Sequence, residues 1–105
     1  MGKKRRMPEK EYRASRICRV LGNPTAYQIM KMLIIEGKMT PTGMSKKLGL
    51  TIANISKTLR NLRQIDLVRY ETESYVKKYF IKDKAVVKIF NTLEKYVEKI
   101  KDKKF

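Results

Sequence analysis

The segment from Thr51 to Asp66 constrains the fold of this chain most, because its residues separate into two faces on a helix of about 3.6 residues per turn. Ile55, Leu59 and Leu62 form an apolar stripe. The opposite face is small near its start, amide-bearing and basic; it comprises Ala53, Lys57, Arg60 and Gln64, with Asn54 and Ser56 on its shoulders. Such a helix, with Thr51 as its N-cap, fits the major groove of DNA. An ordinary amphipathic surface helix has the same pattern, so the neighbouring segments must decide between the two interpretations.

The charge of the chain points to a polyanionic partner. Its 105 residues include 26 Lys or Arg and 10 Asp or Glu, which gives a net charge of +16 and a pI of about 10.1. A small domain with this much positive charge repels itself unless it binds a polyanion. Nucleic acid is the first candidate for that partner, and an anionic membrane surface is the second.

Other features of the sequence disfavour several protein classes. No apolar run approaches the roughly 20 residues that cross a bilayer, and no apolar segment follows the basic N-terminus as a signal peptide requires. We therefore expect a soluble, cytoplasmic and nucleoid-associated protein. The chain has no His, no glycine-rich phosphate loop and no carboxylate pair with catalytic spacing. We therefore expect neither an enzyme nor a bound cofactor.

Both ends of the chain are basic. Residues 1–8 form an arm that ends at Pro8, and it is interpreted either as a DNA-contacting segment or as a solubilising tail. Residues 101–105 form a second basic tail. The length between them, residues 9–100, is enough for a single domain with a modest core.

Three helices are predicted before Thr51, because cap and stop residues recur along that part of the chain. The first spans residues 9–21. Asn23-Pro24 opens the second helix, and Thr40-Pro41 opens a short third one. A turn that contains Gly49 joins the third helix to the helix at 51–65. A short helix, a glycine turn and a basic helix together predict a helix-turn-helix.

The residue composition of the chain changes after Asp66. Residues 67–81 are rich in β-branched and aromatic side chains and predict a β-hairpin, with Thr72-Glu73-Ser74 as its loop. Asp83 then caps a final helix over residues 83–100. The predicted fold is mainly α with a small β-hairpin (α+β). It is a winged helix-turn-helix with the order α-α-α-α-β-β-α.

The segment from Leu48 to Val68 resembles the recognition segment of the ArsR-like winged-helix regulators. The family pattern is approximately L-G-[LV]-[ST], then S-[KRH]-x-L-[KR]-x-L, then G-L-V, and this chain reads L-G-L-T, S-K-T-L-R-N-L and D-L-V. The stretch from Leu21 to Thr25 is similar to the family's L-[GS]-[DN]-P-[TE] entry to its second helix. The resemblance covers roughly residues 15 to 83 and implies a DNA-binding transcription regulator.

The chain departs from the family pattern at the turn, the wing and the sensor sites. Asp66 stands where Gly is usual, and the wing lacks Gly and carries Glu71 and Glu73. Many ArsR-like proteins bind metals through paired Cys on the third helix, or through Asp, His and Glu on the last helix. This chain has a single Cys, Cys18, and no His, so we predict that it binds no metal.

The resemblance and the geometry of a helix-turn-helix imply three sets of DNA-binding residues. The recognition helix presents Thr51, Ile52, Ala53, Asn54, Ser56, Lys57 and Arg60. The third helix brings Thr40, Thr42, Lys46 and Lys47 to phosphates, because the first helix of such a motif crosses the DNA backbone. The wing adds Arg69, Lys77 and Lys78. Two points stay open: Ile52 either touches a thymine methyl or packs on the third helix, and Glu71 and Glu73 repel DNA if they point the same way.

Apolar residues of the final helix recur at alternating spacings of four and three, which is the seam of a coiled coil. We therefore predict a symmetric homodimer built from the first and last helices, against the alternative of a last helix that folds back on a monomer. The predicted interface comprises Ala14, Ile17, Cys18, Leu21, Val86, Phe90, Leu93, Val97 and Ile100. We interpret Cys18 as a small buried core residue, with an intersubunit disulfide as the alternative.

These patterns predict a dimeric regulator, most often a repressor in this family, that occupies a near-palindromic operator. The alternative is an architectural protein of the nucleoid that coats DNA with little sequence preference. The high net charge favours the architectural protein. The uncharged groove-facing residues Asn54 and Ser56 favour the regulator.

Overall fold

A computed structural model describes residues 6–101 of the chain, so the predicted basic arm and tail lie mostly outside the described residues. Within that range the chain forms five helices and one two-stranded antiparallel sheet. The elements are α1 (Glu9–Leu21), α2 (Pro24–Glu36), α3 (Pro41–Leu48), α4 (Ile52–Gln64), β1 (Val68–Glu73), β2 (Val76–Ile81) and α5 (Ala85–Ile100). The predicted order α-α-α-α-β-β-α and the winged helix-turn-helix fold are confirmed. None of the described helices is long and apolar enough to cross a membrane.

Side-chain caps begin three of the helices at the positions that the sequence predicts. Asn23 Oδ1 accepts a hydrogen bond from the Ala26 amide at 3.1 Å, Thr40 Oγ1 from Gly43 at 3.0 Å and Thr51 Oγ1 from Asn54 at 3.1 Å. Each bond satisfies one of the amides that a helix leaves without an internal partner at its first turn. The start of α5 differs from the prediction, because the helix begins at Ala85 and its N-cap is Lys84, which forms no side-chain cap. Asp83, the predicted cap, precedes Lys84, and its Oδ1 accepts a hydrogen bond from the Ala85 amide at 2.8 Å.

The core forms where α2, α3 and α4 pack together and are covered by the sheet and by the start of α5. Ile55, Leu59 and Leu62 of α4 are fully buried, which confirms the apolar stripe. The other buried apolar residues are Ala26, Ile29, Met30, Leu33, Met44, Leu67, Val68, Tyr79, Val86 and Phe90. Met39, in the link between α2 and α3, forms an isolated antiparallel bridge with Tyr79, so this link pairs with β2 at one residue.

The hairpin loop differs from the prediction. The strands pair from Val68 with Ile81 to Glu73 with Val76, so Thr72 and Glu73 belong to β1, and the loop is Ser74 and Tyr75 alone. Both loop residues have positive φ, 52° and 67°, as a two-residue hairpin of the primed type requires. The prediction failed because the glycine that usually marks such a turn is absent from the wing.

The helix predicted to dimerise, α5, divides into two halves. Val86 and Phe90 are buried in the protomer's own core, and the Phe90 ring lies 4.7 Å from that of Tyr27. Leu93 and Val97, in the second half, are about half exposed. The prediction that the whole seam faces a partner is therefore wrong for Val86 and Phe90, because the first turns of α5 close the core that α2 leaves open.

The first helix, α1, lies almost entirely on the surface. Each of its residues is exposed or only half-buried, including Ala14, Ile17 and Leu21. Cys18 is exposed and is a free thiol, so the interpretation of Cys18 as a buried core residue is wrong for the protomer. The physical reason is that α1 packs on α2 along one edge, which covers Ile17, Val20 and Leu21 only in part and leaves Cys18 exposed.

Candidate nucleic-acid interface

The exposed face of α4 carries the predicted groove-facing residues together. Ala53, Asn54, Ser56, Lys57 and Arg60 are all exposed, and no Asp or Glu occurs between Ile52 and Gln64. Thr58 is turned inward, where its hydroxyl donates to the Asn54 carbonyl at 2.9 Å. Ile52 is 49% exposed, so about half of its side chain is covered by the protein and the other half is accessible. Four of these exposed residues, Asn54, Ser56, Lys57 and Arg60, offer side-chain hydrogen-bond donors to a polyanion.

The turn between α3 and α4 sets the position of this face. Gly49 adopts the left-handed conformation with φ 69°, which ends α3 and reverses the chain. The amides of Gly49 and Leu50 both donate to the Ser45 carbonyl, at 2.9 and 3.2 Å, and the Ser45 hydroxyl donates to the Leu50 carbonyl. The sequence did not indicate this role of Ser45, because the hydrogen bonds form only once the turn brings Leu50 back to Ser45.

The residues predicted on α3 differ in how available they are. Thr42 and Lys46 are exposed. Thr40 is half-buried, and its hydroxyl already caps α3. Lys47 Nζ lies 2.9 Å from Glu36 Oε2, so its charge is partly neutralised by the end of α2. The structure therefore leaves Thr42 and Lys46 as the uncommitted polar groups of this set.

In the wing, the acidic residues are paired with lysines. Lys78 Nζ lies 2.7 Å from Glu73 Oε1, and Lys78 also stands opposite Glu71 in the strand register. The hydrogen bond from Lys78 lowers the pKa of Glu73, and the same bond raises the pKa of Lys78. Glu71 is bound by Lys38. The repulsion expected from the two carboxylates is therefore offset, but the charge of Lys78 is offset with it.

The aromatic ring of Tyr70 connects the wing to α4. Lys77 Nζ lies 4.6 Å from the ring centroid, and the Arg63 guanidinium carbon lies 5.5 Å from it. A cation over an aromatic face is held there by the ring quadrupole. The sequence reading missed Arg63 and Tyr70, because this arrangement joins residues from two elements. Arg69, the remaining wing residue, is exposed.

The ion pairs in the described part of the chain involve lysines and not arginines. All six ion pairs among residues 6–101 use lysine, and none of the arginines in that range takes part in one. Arginine presents a planar fork of donors that suits phosphate and base edges. The unpaired positive charge in the described part of the chain therefore includes Arg60, Arg63 and Arg69 around α4 and the wing.

A polar cleft of about 390 Å³ extends the basic surface from α4 towards the junction of α1 and α2. Its lining includes Asn54, Lys57 and Asn61 of α4 and, across from them, Arg19 and Asn23. The prediction did not include Arg19 or Asn61. Arg19 lies on the α1 face opposite the apolar stripe, which was the only signal for it in the sequence.

Comparison with known proteins shows which proteins this geometry is similar to. A family model described as a helix-turn-helix domain matches residues 21–71, from the end of α1 into the wing. No curated protein sequence matches the chain. Among solved structures, a homodimeric winged helix-turn-helix domain from Mycobacterium bovis, described as a possible ArsR-family transcriptional regulator, is 20% identical. The match covers 93% of this chain and 90% of that one, with a TM-score of 0.80. This chain has the winged helix-turn-helix fold and is similar to ArsR-family regulators.

Two further structures are similar to the ArsR-like chain. NolR from Sinorhizobium fredii is 25% identical over 90% of this chain and 96% of its own, with a TM-score of 0.76. A cadmium metal sensor from Mycobacterium tuberculosis is 29% identical over 75% of this chain and 81% of its own, with a TM-score of 0.64. The family match and the architecture are those of DNA-binding transcription regulators.

The ArsR-like chain keeps the left-handed turn after α4 although Asp66 replaces the usual glycine. Asp66 has φ 69°, and its carboxylate is bound by Lys82. The hydrogen bond from Lys82 lowers the pKa of Asp66, so the carboxylate stays charged in neutral solution. Asp is among the non-glycine residues that adopt this conformation most readily. Between residues 6 and 101, no three or more His, Cys, Asp or Glu side chains cluster as metal ligands would.

Proposed function

We propose that this protein regulates transcription as a dimer, inserting α4 into the major groove of DNA and laying the β1–β2 wing beside it. The observation that carries the proposal is the exposed, acid-free face of α4, where Ser56, Lys57 and Arg60 stand side by side. The net charge of +16 supplies the long-range attraction to DNA.

Within α4, the residues near its start read bases and the basic residues add affinity. The small residues Ala53 and Ser56 let the helix approach the base edges closely. The guanidinium of Arg60 matches the two acceptors of guanine, O6 and N7. The exposed part of Ile52 suits the methyl group of thymine. Lys57 contacts either a base edge or a phosphate.

Phosphate contacts fix the register of α4 on the duplex. Thr42 and Lys46 of α3 and Lys77 of the wing supply them, since none of these side chains is committed to a carboxylate in the described part of the chain. Lys47 and Lys78 contribute less to phosphate binding, because Lys47 must first separate from Glu36 and Lys78 from Glu73.

The dimer forms through α1 and the second half of α5. On α5, Ile89, Leu93, Tyr96 and Val97 are each about half exposed and lie on one side of the helix. The radius of gyration of the described chain is 16.1 Å, whereas a compact chain of this length has about 13 Å. Both features suit helices that protrude to meet a second copy. The proposed interface comprises Ala14, Ile17, Cys18, Leu21, Ile89, Leu93, Tyr96, Val97 and Ile100.

Two-fold symmetry then gives the mode of action. Two copies of α4 read half-sites about 34 Å apart, one turn of DNA, so the operator is near-palindromic. The protein acts as a repressor by occupying that operator and excluding other proteins from it.

The second candidate is an architectural DNA-binding protein with little sequence preference, which the net charge of +16 favours. Selection of bound sequences from a random pool of duplexes separates the two candidates. We expect a near-palindromic site with half-site centres about one DNA turn apart. A selected pool as random as the starting pool, with equal affinity for random and selected duplexes at one salt concentration, would overturn the regulator in favour of the architectural protein.

A further inference from the structure

An apolar groove of about 490 Å³ lies between the C-terminal end of α2, strand β2 and the first turns of α5. Its walls are the side chains of Leu33, Ile34, Phe80, Ile81 and Val87. We call it the α2–β2–α5 groove. Its size lies within the roughly 300–1,000 Å³ of small-molecule sites, which are typically apolar with a few polar groups that orient the ligand.

The polar groups of this groove all have the same sign. Lys38, Lys84 and Lys88 line it, and no Asp or Glu is among the described residues of its lining. Lys38 is bound by Glu71 and lies over the Phe80 ring. None of the ion pairs between residues 6 and 101 involves Lys84 or Lys88. Two lysines thus stand beside an apolar wall with their charges uncompensated.

The two lysines lie at the start of α5. Lys84 immediately precedes the 16-residue helix, and Lys88 lies one turn further along it. The Asp83 carboxylate already accepts a hydrogen bond from the Ala85 amide at this helix start, so the positive charge offered to a ligand is that of the lysines. An apolar compound with one anionic end is therefore complementary to the groove, whereas a cationic or a purely polar compound is not.

The apolar wall of the α2–β2–α5 groove faces away from the proposed dimer interface. At about 100° per residue, Val87 points about 120° away from Leu93 and about 180° away from Tyr96 on α5. Lys88 points about 140° away from Leu93 and about 80° away from Tyr96, so it lies at the edge of the exposed apolar face, where it also borders Ile89. The groove is also separate from the exposed face of α4, since none of its lining residues belongs to α4.

We propose that the α2–β2–α5 groove binds an amphipathic carboxylate, such as a medium-chain fatty acid, with its chain on Phe80, Ile81 and Val87 and its carboxylate at Lys84 and Lys88. This site goes beyond the proposed function and does not depend on it. Its occupant contacts the wing strand and α5, which are the elements that the proposed function uses for DNA and for dimerisation.

The test is a titration of the full chain with decanoate, without DNA, followed by calorimetry and by the shifts of backbone amide resonances. The variant pair is Lys84→Gln with Lys88→Gln. The matched control is Lys95→Gln with Lys99→Gln, which removes the same charge at the same spacing from the second half of α5, away from the lining of the groove. Decanol, which has the same chain without the charge, is the second probe.

We expect saturable binding of decanoate with amide shifts at Gly37, Ile81 and Val87. We expect about tenfold weaker binding of decanoate in the Lys84/Lys88 variant, with decanol unaffected and the control variant like the wild type. Absence of saturable decanoate binding would overturn the proposal. Equal weakening in both variants, or shifts centred on Leu93 and Tyr96, would also overturn it. Because DNA is absent, these outcomes leave the proposed function untouched.

Discussion

Phe90 and Leu93 lie one turn apart on α5 and are expected to respond differently to the same substitution. Phe90 is 1% exposed and packs on Tyr27 with ring centroids 4.7 Å apart. Truncation of a fully buried aromatic residue typically costs about 3–5 kcal/mol in the free energy of unfolding. We predict a loss of that size for Phe90→Ala, because the cavity forms within the protomer's own core.

Leu93 is 48% exposed in the protomer, so Leu93→Ala tests the interface instead. The substitution removes three carbons, of which about half would be covered only by a partner. At about 0.8 kcal/mol per buried methylene, this amounts to about 1.2 kcal/mol per protomer and about 2.4 kcal/mol per symmetric dimer. The dissociation constant of the dimer should therefore rise about fiftyfold.

Sedimentation equilibrium gives the dissociation constant, and urea unfolding at two protein concentrations gives the stability. Leu93→Ala should lower the unfolding midpoint more at low concentration than at high concentration, because dissociation precedes unfolding. Lys95→Ala, on an exposed position of the same helix, is the control. The division of α5 into a core half and an interface half would be refuted if Leu93→Ala left the dissociation constant unchanged. A Phe90→Ala variant as stable as the wild type would refute it equally.

Three further predictions concern the DNA-binding face and the packing of α5. Arg60→Ala should weaken binding to the selected operator by about tenfold to a hundredfold in fluorescence anisotropy, with the circular dichroism unchanged and Lys99→Ala as the control. Thr51→Ala should cost about 1 kcal/mol in urea unfolding, because α4 loses its N-cap; an unchanged midpoint would contradict that role. Hydrogen bonds from Lys31 and Tyr27 lower the pKa of Glu94 below its usual 4.5. Its stabilisation should therefore be present above that pH and be lost as the pH falls through the lowered pKa. Urea midpoints measured against pH should show less of this acid loss in Glu94→Gln, and identical profiles would count against the contact.

The same contact acts in the other direction on Tyr27. Burial, together with the hydrogen bond of 2.6 Å that its hydroxyl donates to Glu94, raises the pKa of Tyr27 to about 12. The tyrosine therefore stays neutral and remains a donor throughout the physiological range. This contact joins α2 to the middle of α5, one turn after Phe90, which is the last residue of α5 that is buried in the core.

Local signals made most of the fold predictable. The caps Asn23, Thr40 and Thr51 lie within three residues of the amides that they bind, and Gly49 needs only its own backbone freedom to reverse the chain. The two faces of α4 follow from helical periodicity alone. The hairpin loop was the exception, because Ser74 and Tyr75 adopt positive φ without the glycine that signals it.

Residues far apart in the sequence decided the features that were missed. Nothing near Lys78 or Lys47 indicates that each is bound by a carboxylate, since those pairings require the strand register and the packing of α3 on α2. The stacking of Arg63 and Lys77 on Tyr70 likewise requires the wing to fold beside α4. The predicted DNA-binding set therefore included Lys47 and Lys78, whose charges are paired with carboxylates, and it omitted Arg19 and Arg63.

The sequence by itself determined the order of the elements, their caps, the basic face of α4 and the positive charge, because all of these depend on neighbouring residues or on a sum over the chain. Only the tertiary structure decided which half of the α5 seam the chain covers with its own core and which half it leaves exposed. A heptad repeat has the same period on both halves, so burial could be assigned only after α2 and the wing had taken their places against α5.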